Sequence, residues 1–269
     1  MNPFLNYVEG IRDSVTAARD LCIAPTTRDV IASDSKVMIF SPHPDDECII
    51  GALPLRLMRE AGKQIINVPV TFGSNTERQA ERAQELADAC AYLGWDIART
   101  PDTLDAMDGA GVASLLTQFN PDIIFFPHDE DWNARHISTH ELVIEALGTM
   151  GPDFHCTVIE HEFWRPMQSP NLMIEVDAAL LADLVAATSL HVGEVARNPY
   201  HLLMPAWMQD NVRRGTEVVG GQGAASPDFA FATLYRLRRW HNGALEEVLD
   251  SGLILPIDSD AQKEFSTWK

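Results

Sequence analysis

The octapeptide Ser41-Pro42-His43-Pro44-Asp45-Asp46-Glu47-Cys48 sets one imidazole and three carboxylates within five consecutive residues, directly after the apolar run Val37-Met38-Ile39-Phe40. His43 and Asp46 are three residues apart on a tight strand-to-helix turn. That spacing can point an imidazole nitrogen and a carboxylate oxygen at one ion about 2.0 to 2.2 Å from each. Asp45 lies on the opposite side of the turn and cannot readily share the ion that Asp46 would bind. It is the candidate general base for a water held there. Glu47 reads as a supporting carboxylate at the helix start rather than as a ligand.

A catalytic zinc site typically takes three protein ligands and leaves a fourth position to water, so one further ligand must come from elsewhere. A second polar cluster follows the apolar run Asp122-Ile123-Ile124-Phe125-Phe126-Pro127, and its histidines His128, His136 and His140 are the candidates. His136 and His140 share one face of a helix, as in HExxH proteases, but Ile137 stands where that motif requires Glu. Taken singly, His128 and His140 read as hydrogen-bonded supporting histidines. In isolation, the turn at His43 reads equally well as a helix N-terminus capped by Asp45 or Asp46. The second cluster tips the balance toward a metal.

The elements that must position these clusters alternate as strand and helix. A strand at VMIF precedes a helix from Glu47 to Gly62, the strand QIINVPVTF, and a helix over residues 77–93 with Gly94 at its C-cap. A weaker strand near Asp96-Ile97-Ala98-Arg99, a helix at 109–118, the strand at 122–127 and a helix beginning near His136 continue the pattern. This predicts an α/β fold, a Rossmann-like and mostly parallel sheet with helices on both faces. Such sheets collect ligands at the carboxyl ends of their strands, beside the point where strand order reverses. Both clusters are expected there. The runs CTVIEHEFW and NLMIEVD are predicted to extend the same sheet, followed by the helix AALLADLVAATSL. The Gly-, Pro- and Arg-rich stretch 191–234 reads as an irregular C-terminal region. It is a candidate surface for homo-oligomer contact through Tyr200 and Trp207.

Composition mainly excludes partners. The chain has 269 residues, of which 46% are hydrophobic and 22% charged. It is read as a single domain over 1–269, with a core at about 36–190 and an extension at 191–269 packing on or near the site. No run of about 18 apolar residues could span a membrane. The formal net charge of −19 repels nucleic acid, and RLRRW at 236–240 is the longest basic run. Cys22, Cys48, Cys90 and Cys156 lack CxxC pairing and are expected to be mostly buried thiols. The first residues show no basic segment followed by an apolar one, so a cytoplasmic location is expected.

His-Pro-Asp-Asp-Glu at 43–47 behind an apolar strand, with a histidine motif after DIIFFP, resembles the LmbE-like or PIG-L-type N-acetylglucosaminyl deacetylases over residues 36–190. The resemblance implies one Zn2+ per chain held by His43, Asp46 and His136, with Asp45 as base. It also implies an N-acetylated sugar or glycoconjugate as small-molecule partner, hydrolysed to acetate and a free amine. The family commonly has His-Pro-Asp-His where this chain has Asn133-Ala134-Arg135-His136. Asn133 therefore takes the place of a catalytic histidine; it can donate a hydrogen bond to an oxyanion but cannot deliver a proton. Asp45 itself, His128 or His191 would then protonate the leaving amine. The family's glycine-rich run after the first motif is reduced to Gly51, a change expected to affect helix packing more than chemistry. Arg82 matches an arginine that often follows the second strand in the family, and is a candidate substrate contact. Asn75, Arg78 and Trp132, near predicted strand ends, are further candidates, Trp132 as a stacking face. Two other functions fit the same residues: hydrolysis of a different N-acyl or thiol-conjugate amide, and a metal- or sugar-binding module with little catalysis.

Overall fold

The structure is a computed structural model that describes residues 2–98, 106–259 and 263–264. A mostly parallel sheet forms its centre. β1 (Lys36–Ser41), β2 (Gln64–Pro69) and β3 (Asp96–Ile97) lie on one side of the strand reversal, and β4 (Ile123–Pro127) and β5 (Cys156–His161) on the other. β1 pairs in parallel with both β2 and β4, which makes the β1/β4 boundary the switch point. Arg99 of the weak strand expected near residue 96 lies outside the described residues.

Strand alternation divides the core. Val37, Ile39, Ile65 and Phe125 face one apolar layer, and Met38, Phe40, Ile66 and Phe126 face the other. α1 (Leu5–Ala18) precedes the sheet and buries none of its residues. α2 (Asp46–Ile49), α3 (Ala52–Ala61) and α4 (Gln79–Leu93) supply Leu53, Leu57, Leu86 and Leu93 to the first layer. α5 (Gly109–Phe119) and α6 (Ala134–Thr149) supply Val112, Leu116, Val143 and Leu147 to the second. Helices on both faces, as predicted, leave the strand ends open.

The helix expected over Glu47–Gly62 is two helices. Pro54 lacks the N–H that would donate to Ile50 in an unbroken helix. The Ile50 carbonyl instead accepts the Tyr235 hydroxyl at 2.8 Å. Gly51 occupies the break, where a Cβ would lie 2.8 Å from Leu184 and 2.9 Å from the Glu47 carbonyl. The single remaining glycine is thus required by packing.

β6 (Leu172–Val176) and α7 (Ala178–Ser189) form as expected, but β6 does not neighbour β5. Residues 191–234 are largely helical: α8 (Val192–Arg197), a 3-10 turn at Tyr200–Leu203 and α9 (Met204–Val218) occupy most of the stretch read as irregular. Pro205 sits in the first turn of α9, where proline favours a helix start. Met204, Met208 and Val212 then recur every fourth residue and are buried. Tyr200 is also buried, so it presents no self-association surface. β7 (Phe231–His241) enters antiparallel between β5 and β6, and places Arg236 and Arg238 against Glu160. β8 (Ala244–Glu247) pairs with β7, and β9 (Leu253–Leu255) with β6. Of the cysteines, Cys22 alone is exposed. Among the described residues no helix is long and apolar enough to cross a membrane.

Candidate active site

β1 and β4 run side by side in register, Val37 opposite Ile123 and Ile39 opposite Phe125, so their carboxyl ends open on one crevice. The turn leaving β1 carries Asp45 at φ 121°, ψ −35°, a backbone conformation that a non-glycine residue rarely adopts. Such a residue costs about 1–3 kcal/mol and persists only where its surroundings hold it. Here the Asp45 N–H donates to Glu47 Oε2 at 2.9 Å and the His43 N–H to Asp46 Oδ2 at 2.9 Å.

Asp46 Oδ2 is the focus of the site. It lies 3.4 Å from His43 Nδ1 and 3.4 Å from His136 Nε2, the latter supplied by the first turn of α6. Two ligands about 2.1 Å from a tetrahedral ion are themselves about 3.4 Å apart. The three side chains are therefore spaced closely enough to hold one metal ion. His136 Nε2 is buried with no hydrogen-bond partner, an atom that a cation would satisfy. Its Nδ1 faces Asp131 Oδ2 at 3.3 Å, a carboxylate–histidine pairing of the kind that orients metal ligands. The residues present thus fit a divalent metal.

The charges follow from the geometry. Burial lowers the His136 imidazole, but Asp46 and Asp131 outweigh it and push the group up to about 10. Burial raises Asp46, but His136 and His43 hold its carboxyl well below the ordinary range. For Asp45, burial together with the Asp46 charge outweighs the opposing pull of His191 and Tyr200 and pushes it up to about 8. Its Oδ2 accepts the Tyr200 hydroxyl at 2.5 Å.

The other residues singled out from sequence have varied surroundings. Glu47 is fully buried; its Oε1 is 2.9 Å from His191 Nε2 while its Oε2 serves the Asp45 backbone. His128 accepts the Glu130 N–H at Nδ1 and donates from Nε2 to the Arg165 carbonyl, so both ring nitrogens are committed to backbone. His140 bonds the Pro127 carbonyl at 3.0 Å and lies 3.5 Å from Glu160. Asn133 caps α6, its Oδ1 accepting from the Arg135 N–H at 2.9 Å, which leaves its Nδ2 as the donor end.

The candidate substrate contacts have partners within the fold, apart from the exposed Trp132. Arg82 donates to the Pro44 carbonyl at 3.1 Å and so supports the turn from behind. Arg78 pairs with Glu194 and Glu81, each at 3.3 Å, and Asn75 caps a 3-10 turn through the Glu77 N–H. Trp132 is 68% exposed. The polar pocket of about 470 Å³ that opens on His43 is walled by Thr71, Gln79, Arg135 and Ser138.

Three residues were missed. Asp131 stands five residues before His136, a spacing that matches no motif sought. His161 ends β5 and is buried with Nε2 unpartnered; burial and the nearby His136 push it down to about 3, so it is neutral. Its place at a strand end was the available signal. Tyr200 had none, because its partner is 155 residues away in sequence.

Residues 38–147 match the model of a protein family described as GlcNAc-PI de-N-acetylase, PIG-L. Over that segment the chain is PIG-L-like. The PIG-L-like segment carries the whole His43, Asp46, His136 triad together with Asp45 and Asn133. No curated protein sequence matches the chain. Among solved structures it is similar to N,N'-diacetylchitobiose deacetylase from Pyrococcus horikoshii, with 16% identity, TM-score 0.57, and coverage of 90% of this chain and 94% of that one. It is similar to a deacetylase of teicoplanin biosynthesis, with 12% identity, TM-score 0.53, and coverage of 77% and 99%. GalB, the 4-carboxy-2-hydroxymuconate hydratase of Pseudomonas putida KT2440, is also similar, with 16% identity, TM-score 0.58, and coverage of 76% and 95%. One fold therefore carries both deacetylases and a hydratase, and the reaction must be argued from the site.

Proposed function

We propose that the protein is a zinc-dependent N-deacetylase that hydrolyses the N-acetyl group of an N-acetylglucosamine-type substrate to acetate and a free amine. The observation that carries this reading is the convergence of His43, Asp46 and His136 at ligand-to-ligand spacing beside the buried carboxylate of Asp45. One Zn2+ in that donor set supplies Lewis acidity, lowering the pKa of water toward about 7 and polarising an acyl carbonyl. Asp45 takes the proton of the attacking water at Oδ1, because Tyr200 occupies Oδ2. Asn133 donates from Nδ2 toward the acyl oxygen as negative charge develops there.

Asp45 then returns its proton to the leaving amine. His128 is a poor substitute, since backbone groups engage both of its nitrogens, and His191 is buried behind Glu47. The polar walls of the adjoining pocket, Thr71, Gln79, Arg135 and Ser138, suit a hydroxylated group of sugar size. In this reading the chain is one catalytic unit over residues 1–269.

The test is metal analysis followed by acetate release from N-acetylglucosamine, its phosphate and short chitooligosaccharides. Zinc near one equivalent with release from at least one of them is expected. Stoichiometric zinc with no release from any would overturn the deacetylation of these sugars. The absence of a histidine at 133 motivates a second reading, hydrolysis of a different N-acyl or thiol-conjugate amide. Turnover confined to such compounds would favour it, and tight sugar binding without turnover would mark a binding module.

A further inference from the structure

The turn that carries Asp45 is held from a part of the chain outside the PIG-L-like segment. Three contacts reach it from residues 191–200. Tyr200 donates its hydroxyl to Asp45 Oδ2 at 2.5 Å. His191 Nε2 lies 2.9 Å from Glu47 Oε1, and the other oxygen of the same carboxylate accepts the Asp45 N–H at 2.9 Å. Glu194 lies 3.9 Å from Arg82 Nε, and Arg82 donates to the Pro44 carbonyl at 3.1 Å.

These contacts differ in kind but act on consecutive residues. One fixes the Pro44 carbonyl, one the Asp45 backbone N–H, and one the Asp45 side chain. The residue between them has the unusual φ of 121°. The rings of Phe163 and Trp164 meet Tyr200 edge-on, with centroids 6.3 Å and 6.0 Å away, so the phenol has little freedom to leave. His191, Glu47 and Tyr200 are all buried, which shields the bonds from competing water.

We propose that the segment 191–200 is a clamp whose Tyr200 and His191 are positioning residues for Asp45, fixing one carboxylate oxygen so that the other faces the reaction. This rests on Asp45 being the base of the proposed hydrolysis, but the clamp itself is a property of the fold and can be read without turnover. Burial of Tyr200 and Asp45 shields the phenol proton from exchange with water, and a charge-assisted bond to a carboxylate deshields it.

The experiment uses the full chain loaded with zinc. One-dimensional 1H NMR of the wild type should show a downfield exchange-protected resonance that is lost in Tyr200→Phe and in Asp45→Asn. His191→Leu should shift or broaden it, and His191→Gln, whose amide can replace Nε2–H, should restore it. If N-acetylglucosamine is a substrate, Tyr200→Phe should lower kcat about tenfold with KM and zinc content unchanged, the signature of a misdirected group rather than a lost pocket. A resonance that survives Tyr200→Phe, or that is absent from the wild type, would overturn the clamp. So would unchanged kcat in Tyr200→Phe. Failure of acetate release in the wild type with the resonance present would instead sink the substrate reading and leave the clamp standing.

Discussion

The two halves of the candidate site are built in opposite ways. The PIG-L-like segment brings reactive groups together by local spacing: His43, Asp45 and Asp46 share one turn, and Asp131, Asn133 and His136 share one helix start. The C-terminal part contributes no member of the triad and instead supplies contacts from far along the chain: Tyr200 to Asp45, His191 to the Glu47 that holds the Asp45 N–H, and Arg236 and Arg238 to the Glu160 beside His140. Reactive groups can be placed by short motifs, whereas their restraint against a strained backbone needs a surface from elsewhere.

The sharpest way to break this division is to disable one group on the reactive side. Asp45→Asn should lower acetate release by about 10²–10⁴ while zinc content stays the same, measured by steady-state assay and metal analysis. Loss of zinc with the activity would make Asp45 a ligand rather than a base. On the supporting side, Glu160 is fully buried between Arg236, Arg238 and His140. Glu160→Gln leaves the partly exposed Arg236 and Arg238 without their buried carboxylate and should cost about 1–3 kcal/mol in a denaturant titration, with the triad residues untouched. A cost below about 1 kcal/mol would show that β5 and β7 hold together by packing alone.

Asp131→Asn is a smaller intervention at the boundary between the two roles. It removes the carboxylate facing His136 Nδ1 and should weaken zinc binding by about 10–100-fold in a chelator competition. The smallest effect concerns the N-terminal segment. Arg28 and Arg59 both reach Asp183 on α7 and, against the upward pull of burial, hold its carboxyl down at about 2. Because the folded value lies below the unfolded one of about 3.9, its stabilisation is complete above pH of about 4 and lost as pH falls toward 2. The stability difference between wild type and Asp183→Asn should shrink over that window, and a constant difference would remove the ion pairs from the account.

Much of this was legible because parallel strands and amphipathic helices write their periodicity into the sequence. The β1 and β4 strands, the Gly94 cap and the helix bearing His136 fall where the pattern put them. What escaped shares a physical cause. β7 reads as a basic run because Arg236 and Arg238 alternate with buried Tyr235 and Leu237, and their partner Glu160 is more than 70 residues earlier. α9 was hidden by a proline that starts it. Tyr200 looked like a surface aromatic because nothing near it in sequence discloses a carboxylate waiting across the crevice. Chemistry carried by neighbours in sequence was readable; contacts that exist only after the chain closes were not.

The insertion of β7 between β5 and β6 also sets a timetable for synthesis. Among the described residues β6 pairs only with β7 and β9, so it has no strand partner when it first emerges. At about 5–20 residues per second, the roughly 55 residues of chain from Val176 to Phe231 take about 3 to 11 seconds to make. Throughout that interval the edge of β5 and both edges of β6 are open to other chains, and Glu160 has no arginine. A nascent protein in this state is the form most exposed to aggregation, and the one on which chaperones have the most to act.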